Sequence, residues 1–269
     1  MSKYEDKKVG DVLRKRNGYT DHIGVEIETE GQRLPKVDSE LWRSDVDGSL
    51  RGESWEYVLK EPVHKDDLHK AIVSLKYEWH KAKSIVKDSP NAGVHIHINV
   101  SDLTVTELYN YLALYLVLEE ILIEQCGTDR IGNLFCLRAS DAEYLLDMLA
   151  TAIKTTDLKI LHTDDLRYAA VNVKALGDYG SVEFRSWPSN GDLAGVEWWA
   201  NVLMHLKQVA KATDNPAQVV GDVSMMSPEV FFNSVMKEYA EKIKWLPHYD
   251  RAMMEGVRRV QQFAFEGAW

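Results

Sequence analysis

The chain has 269 residues, of which 45% are hydrophobic and 28% charged, a composition that supports a sizeable core and excludes disordered or collagen-like structure. Its 32 basic against 42 acidic side chains give a net charge of −10, which repels a nucleic-acid backbone and argues against a broad nucleic-acid-binding face. The longest apolar run, Tyr111 to Leu118, falls far short of the roughly 20 residues of a bilayer span, and the charged N-terminus lacks a secretory signal, so a cytoplasmic protein without membrane association is expected.

Residues 1 to 20 read as a charged N-terminal segment; the first 16 hold six basic and three acidic side chains, a pattern typical of a solvated tail. From His22 to Glu30, Ile23, Val25 and Ile27 alternate with Glu26, Glu28 and Glu30, the period of a strand with one apolar and one acidic face. Asp45-Val46-Asp47-Gly48-Ser49-Leu50 is a turn signal, followed by a weaker strand at Trp55 to Leu59. Asp66 then precedes Leu68, Ile72, Leu75 and Trp79 at helical spacing. Val94 to Val100 is a second alternating strand, with His95 and His97 on one face. Thr104 with Glu107, and Ser140 with Glu143, fit capping boxes ahead of helices ending near Cys126 and Ile153; the first, apolar nearly all round, belongs deep against the sheet. A weak strand at Tyr168 to Val173 leads to a third alternating one, Ser181 to Trp187, carrying Glu183 and Arg185. A helix from about Leu193 to Ala212, a polar break with Pro216, and a helix opened by Ser227-Pro228-Glu229 complete the chain. The organisation expected is a segment over 1–20, a domain over 21–213 and a helical C-terminal extension over 214–269. Cys126 and Cys136, the only cysteines, form no CxxC and read as core thiols.

Strands with one apolar and one polar face suit an α+β fold, a mostly antiparallel sheet with helices packed on one face and an open polar face forming a cleft. Glu26, Glu28, His95, His97, Glu183 and Arg185 would form its floor, joined by Asp47 from the turn and Glu56 from the weaker strand. Each alternation alone is compatible with a solvated strand face, but several delivering metal-compatible groups together point to a site. Residues two apart on a strand project the same way with about 6.5 Å between Cα atoms, so Glu26 and Glu28 can serve one metal or two adjacent ones. Oxygen-rich clusters suit Mg²⁺, and an imidazole tilts the set towards Mn²⁺. An arginine beside such metals is a natural bidentate partner for phosphate oxygens, which implies phosphoryl chemistry. The phosphate-binding GxxxxGK[ST] loop, the GxGxxG fingerprint, the protein-kinase set and a GxSxG elbow are all missing, so a nucleotide would be held by metals and a sheet. Trp42, Trp55 and Trp187 lie near these motifs and read as packing residues.

Gly24-Val25-Glu26-Ile27-Glu28, Asp47-Gly48-Ser49-Leu50, Glu56 with Pro62, Ala92-Gly93-Val94-His95-Ile96-His97, Arg130 and Asn133 before Cys136, Arg167-Tyr168-Ala169-Ala170-Val171-Asn172 and Val182-Glu183-Phe184-Arg185 resemble, in order, the amidoligase family. That family is related to glutamate-cysteine ligases and, more distantly, to the catalytic domain of glutamine synthetase. The resemblance spans about residues 22 to 200 and implies a glutamine synthetase-like catalytic sheet. It also implies ATP-dependent joining of a small-molecule or peptide carboxylate to an amine through an acyl phosphate. Carried over by motif, Glu26, Glu28, Asp47, Glu56, His95, His97 and Glu183 are metal-site residues for Mg²⁺ or Mn²⁺. Glu56, Glu183 and Arg185 are catalytic, Arg185 facing the transferred phosphoryl group, and Arg130, Arg167, Asn172 and Arg185 contact ATP or a substrate carboxylate. Lys60-Glu61-Pro62 departs from the family, whose members tend to have Ser or Thr directly before that proline. Two other readings compete: a metal-dependent amidohydrolase, suggested by the HxH pair, and a non-catalytic metal- or nucleotide-binding protein of the same fold.

Overall fold

The computed structural model describes residues 7–15, 18–142 and 144–267. Eight strands form one sheet: β1 (His22–Gln32), β2 (Trp42–Asp45), β3 (Glu53–Leu59), β4 (Val63–His64), β5 (Ile85–Lys87), β6 (Gly93–Asn99), β7 (Val171–Asn172) and β8 (Ser181–Pro188). Their order is β2-β3-β1-β6-β8-β7, with β4 and β5 continuing the two flanks of β1, and every strand pair is antiparallel. The expected α+β class is thus the one observed, and the parallel barrel of the amidohydrolases is excluded. No helix among the described residues is long and apolar enough to cross a membrane.

Alternation in the three expected strands does what its period demands. Ile23, Val25, Ile27, Val94, Ile96, Ile98, Val182 and Phe184 are fully buried on one face, and helices cover them. Helix α1 (Val9–Val12) is short, and α2 (Leu68–Ala82) packs at the β2-β3 end, where Trp42 Nε1 donates to Ala71 O at 2.9 Å and Tyr57 meets Trp79 edge to face. Helix α3 (Val105–Gln125) starts at the expected capping box, Thr104 with Glu107, and is buried nearly all round. Its Tyr111 and Tyr115 pack on Phe184 of β8. Helix α6 (Leu193–Lys211), capped by Asp192, stacks Trp199 on Trp187. Trp42 and Trp187 are therefore packing residues, while Trp55 lies half-buried beneath the Lys36 ammonium.

Three elements differ from expectation. Helix α4 (Leu145–Thr155) begins five residues after Ser140, at Tyr144 in the left-handed region, and Glu143 of the expected capping box lies outside the described residues. Pro216 opens a helix, α7 (Pro216–Met225), instead of only breaking one, because Asn215 caps it. After α5 (Ala175–Tyr179) and α8 (Pro228–Met236), helix α9 (Tyr249–Ala264) returns across α3, whose Leu116 and Val117 backbone would lie within 2.8 Å of any Cβ at Gly256. The C-terminal helices therefore share one hydrophobic core with the sheet. Residues 7–15, expected in a solvated tail, are docked: Val9 is fully buried, its N–H donates to Leu103 O at 2.8 Å, and Gly10 N–H donates to Ser101 O at 3.0 Å.

Glu119 of α3 is fully buried and accepts from Ala139 N with both carboxylate oxygens, at 3.0 and 3.1 Å. Arg259 of α9 stands 3.5 Å away. Burial pushes the Glu119 carboxyl up to about 8, outweighing the Ala139 hydrogen bond and the Arg259 charge. Folding therefore takes up a proton that an ordinary glutamate releases, so the stability this provides is full below the unfolded pKa and is lost as pH rises towards about 8. Glu119→Gln keeps an acceptor for Ala139 and has no such proton. The melting temperature of the wild type relative to this variant should fall between about pH 5 and about pH 9. A constant difference would mean that Glu119 is ionised in the fold throughout.

Candidate active site

Register brings the polar residues of five strands together. Across the sheet, Glu26 of β1 lies opposite His95 of β6, Glu28 opposite Glu56 of β3, Glu56 opposite Asp45 of β2, and His97 opposite Glu183 of β8. Three overlapping groups place their ligand atoms within 4.8 Å of one another: Glu26, Glu56 and His95; Glu26, His97 and Glu183; Glu28, Asp47 and Glu56. All seven residues expected at a metal site thus converge on one face. Asp47 reaches it from the β2-β3 turn, where its carboxylate accepts from Ser49 N at 2.6 Å.

The imidazoles bridge the carboxylates. His95 Nδ1 is 3.3 Å from Glu26 and 3.6 Å from Glu183, and its Nε2 is 3.7 Å from Glu28. His97 Nδ1 contacts Ser181 Oγ at 3.2 Å, while its buried Nε2 has, among the described residues, only Glu26, 3.5 Å away, beyond a good hydrogen bond. Burial pushes Glu26 up, but the close contacts and charge of both histidines outweigh it and hold its carboxyl below the ordinary carboxylate range. Burial likewise opposes ionisation of Glu183, and the Arg185 guanidinium, then the two imidazoles, more than offset it. Burial depresses His97, yet its contacts with Glu26 and Glu183 raise it. At Glu56 the His95 imidazole does not offset burial and the nearby Glu26 charge, which push it up to about 7.

Arg185 donates through Nη1 to Glu183 and through Nε to Phe135 O, the latter at 3.3 Å, and Asn172 Nδ2 donates to the other Glu183 oxygen at 2.5 Å. Both Asn172 and Arg185 border a cleft of about 330 Å³ that is also lined by Arg167, Lys174, Tyr168 and Tyr179. Arg167 lies over the Tyr168 ring, 4.5 Å from its centroid. Nothing in the sequence singles out Lys174, Asp178 and Tyr179, which sit between β7 and β8 where no periodic pattern marks them. Tyr179 meets His97 edge to face at 5.6 Å.

Arg130 differs from its expected role. It is buried, and its guanidinium donates to three backbone carbonyls: Ser186 at 3.0 Å, Ala92 at 3.4 Å and Arg185 at 2.7 Å. The reason lies in the register, which slips between Val94 and Ile96 so that Arg185 and Ser186 together face His95. Such a bulge takes carbonyls out of the ladder, and a buried carbonyl needs a donor. Arg130 supplies it, so the expected phosphate or carboxylate contact is replaced by a structural one that aims Arg185 at the floor. Gly93 makes room for this arginine; a Cβ there would lie 2.9 Å from Arg130 Nη2 and 3.6 Å from Glu28 Oε2, the oxygen that accepts from Gly93 N at 2.8 Å.

Gly93→Ala should therefore push the guanidinium off its carbonyls. The expected loss is about 1–3 kcal/mol in chemical unfolding. An unchanged unfolding midpoint would show that Arg130 can shift without loss.

The family model described as "Putative amidoligase enzyme" matches residues 54–206, which take in Glu56, His95, His97, Arg130, Asn172, Glu183 and Arg185. Glu26, Glu28 and Asp47 precede that span but share the same floor. A search of curated proteins finds no match. With more than half of its length matched, and with the paired histidines and the Glu183–Arg185 strand inside the match, the chain belongs to the amidoligase family.

Proposed function

We propose that the chain is an ATP-dependent carboxylate-amine ligase working through an acyl phosphate. The observation that supports it best is the crowding of five carboxylates, Glu26, Glu28, Asp47, Glu56 and Glu183, with two imidazoles on one sheet face beside Arg185. Hard oxygen donors in excess of the local positive charge fit Mg²⁺ or Mn²⁺. Glu26, His97 and Glu183 would hold one ion, and Glu28, Asp47 and Glu56 another. Bound there, the ions would neutralise the triphosphate, which the bare floor repels.

A carboxylate resists an amine until one oxygen becomes a good leaving group. In the first step an oxygen of the substrate carboxylate bonds to the γ-phosphorus of ATP, and the bond from that phosphorus to the β–γ bridging oxygen breaks, releasing ADP. In the second, the amine nitrogen bonds to the acyl carbon, the bond to the phosphate oxygen breaks, and inorganic phosphate leaves with the proton released from nitrogen. Arg185 is the residue for the phosphoryl group in flight: its planar fork suits phosphate oxygens, and its contacts with the Glu183 carboxylate and the Phe135 carbonyl fix its direction. Glu183 is itself oriented by Asn172. Arg167 and Lys174 line the same cleft and suit the remaining phosphate oxygens.

Two measurements check this reading. Calorimetry with a non-hydrolysable ATP analogue should give binding with Mg²⁺ or Mn²⁺ and little in EDTA; equal affinity in both would overturn the metal-bridged site. Arg185→Lys retains the charge but loses the fork, so the maximal rate of ADP release with a carboxylate and an amine should fall by about a hundredfold while ATP affinity changes little. Normal turnover by the lysine variant would reduce Arg185 to a structural partner of Glu183.

A further inference from the structure

The floor opens on two sides of Glu26, His97 and Tyr179. On one side are Arg167, Lys174 and Arg185. On the other is a pocket of about 460 Å³ whose walls include Val58, Leu59 and Pro62 and whose rim carries Arg14, Lys15 and Tyr19, all three outside the segment shared with the family. That volume suits a small organic ligand.

The rim is a built element. Val9 is locked in the core, Gly10 N–H donates to Ser101 O, and Lys15 N–H returns to Gly10 O at 2.8 Å, closing a hook. The closure puts Arg14 at φ +57°, the left-handed region where glycine is the favoured residue. An arginine there is conformationally costly, and its side chain borders the pocket. Among the described residues neither Arg14 nor Lys15 has an ion-pair partner, whereas Arg43 and Lys60 across the pocket are engaged by Asp45 at 2.7 Å and Asp38 at 2.5 Å. The hook thus offers two uncommitted cations on a pocket that Val58, Leu59 and Pro62 also line.

We propose that this pocket takes the acid substrate, and that the acid is a dicarboxylate with an apolar spacer, its distal carboxylate on Arg14 and Lys15 and its reacting carboxylate beside the ion that Glu26, His97 and Glu183 would hold. The assignment rests on the ligase reading of that floor. In-line displacement needs the entering carboxylate opposite the departing ADP, and the cations for the triphosphate are on the Arg185 side.

The test uses the full chain with ATP, Mg²⁺ and hydroxylamine, which traps an acyl phosphate as a hydroxamate. The probes are straight-chain dicarboxylates from succinate to azelate and the monocarboxylates of equal length. One dicarboxylate length should half-saturate at about a tenth of the concentration its monocarboxylate needs, the loss of a charge-assisted contact. Arg14→Gly relieves the left-handed strain, so its melting temperature should hold or rise. Half-saturation by the dicarboxylate should rise about tenfold, with maximal rate and ATP half-saturation unchanged. Equal use of monocarboxylates, an unaffected Arg14→Gly, or a rise in ATP half-saturation instead would each overturn the proposal. Saturation-transfer NMR with the dicarboxylates and Mg²⁺ but no nucleotide separates the two readings. Absence of binding overturns this one whatever the nucleotide does, and binding that Arg14→Gly weakens supports it even if ATP analogues fail to bind.

Discussion

Antiparallel register around β1 is the constraint on which the site depends. Because β1 is central, its outward residues have a partner on each side: Glu26 faces His95, and Glu28 faces Glu56. Ionised carboxylates at such spacing repel each other strongly in a partly buried setting. What holds them is the opposite face of the same strands, where Ile23, Val25, Ile27, Val94, Ile96 and Ile98 are buried against helices. A shift by one residue would expose that apolar face, so burial fixes the positions of the acids as firmly as those of the core. The imidazoles and Arg185 offset part of the repulsion, most completely at Glu26 and Glu183 and least at Glu56.

Arg185 depends on a second, longer chain of contacts. The bulge that turns it to the floor is held by Arg130, and its Nε is held by Phe135 O from the loop that follows α3. That loop is tied to α3 by Ala139 N on Glu119 and by Arg138 on Glu120 at 2.8 Å, and Arg259 of α9 reaches the same Glu120 at 2.9 Å. The C-terminal helices, which lie beyond the matched segment, thus brace the loop that orients the arginine.

How much of this was legible depends on the range of the interaction. A strand with one buried face writes that face into every second residue, so β1, β6 and β8 and their acids and histidines could be read directly. The Thr104-Glu107 capping box is equally local. By contrast β2, β4 and β5 have two to four residues and exist through their partners, too short to carry a period. The bulge is a mismatch between two strands and is invisible in either alone, which is why Arg130 resembled a ligand contact in the sequence. Val9 in the core follows from hydrogen bonds of Val9 and Gly10 to residues 103 and 101, far along the chain, and the left-handed turn at Arg14 closes on that docked segment.

The distribution of cations gives the cleft a direction. The floor is acidic, so without bound ions an anion would be repelled from it, and positive side chains that could hold one stand at the two ends. At one end Arg167, Lys174 and Arg185 belong to the segment shared with the family. At the other, Arg14 and Lys15 belong to a hook that precedes it. On the ligase reading, the first set would serve the transferred group. Choice of the acid is a difference in affinity between candidates that share a reacting carboxylate, so it has to be made by contacts remote from that carboxylate. A short docked segment is well placed to make that choice, because its turn can change without disturbing the register of the sheet, and so without moving the residues that carry the reaction.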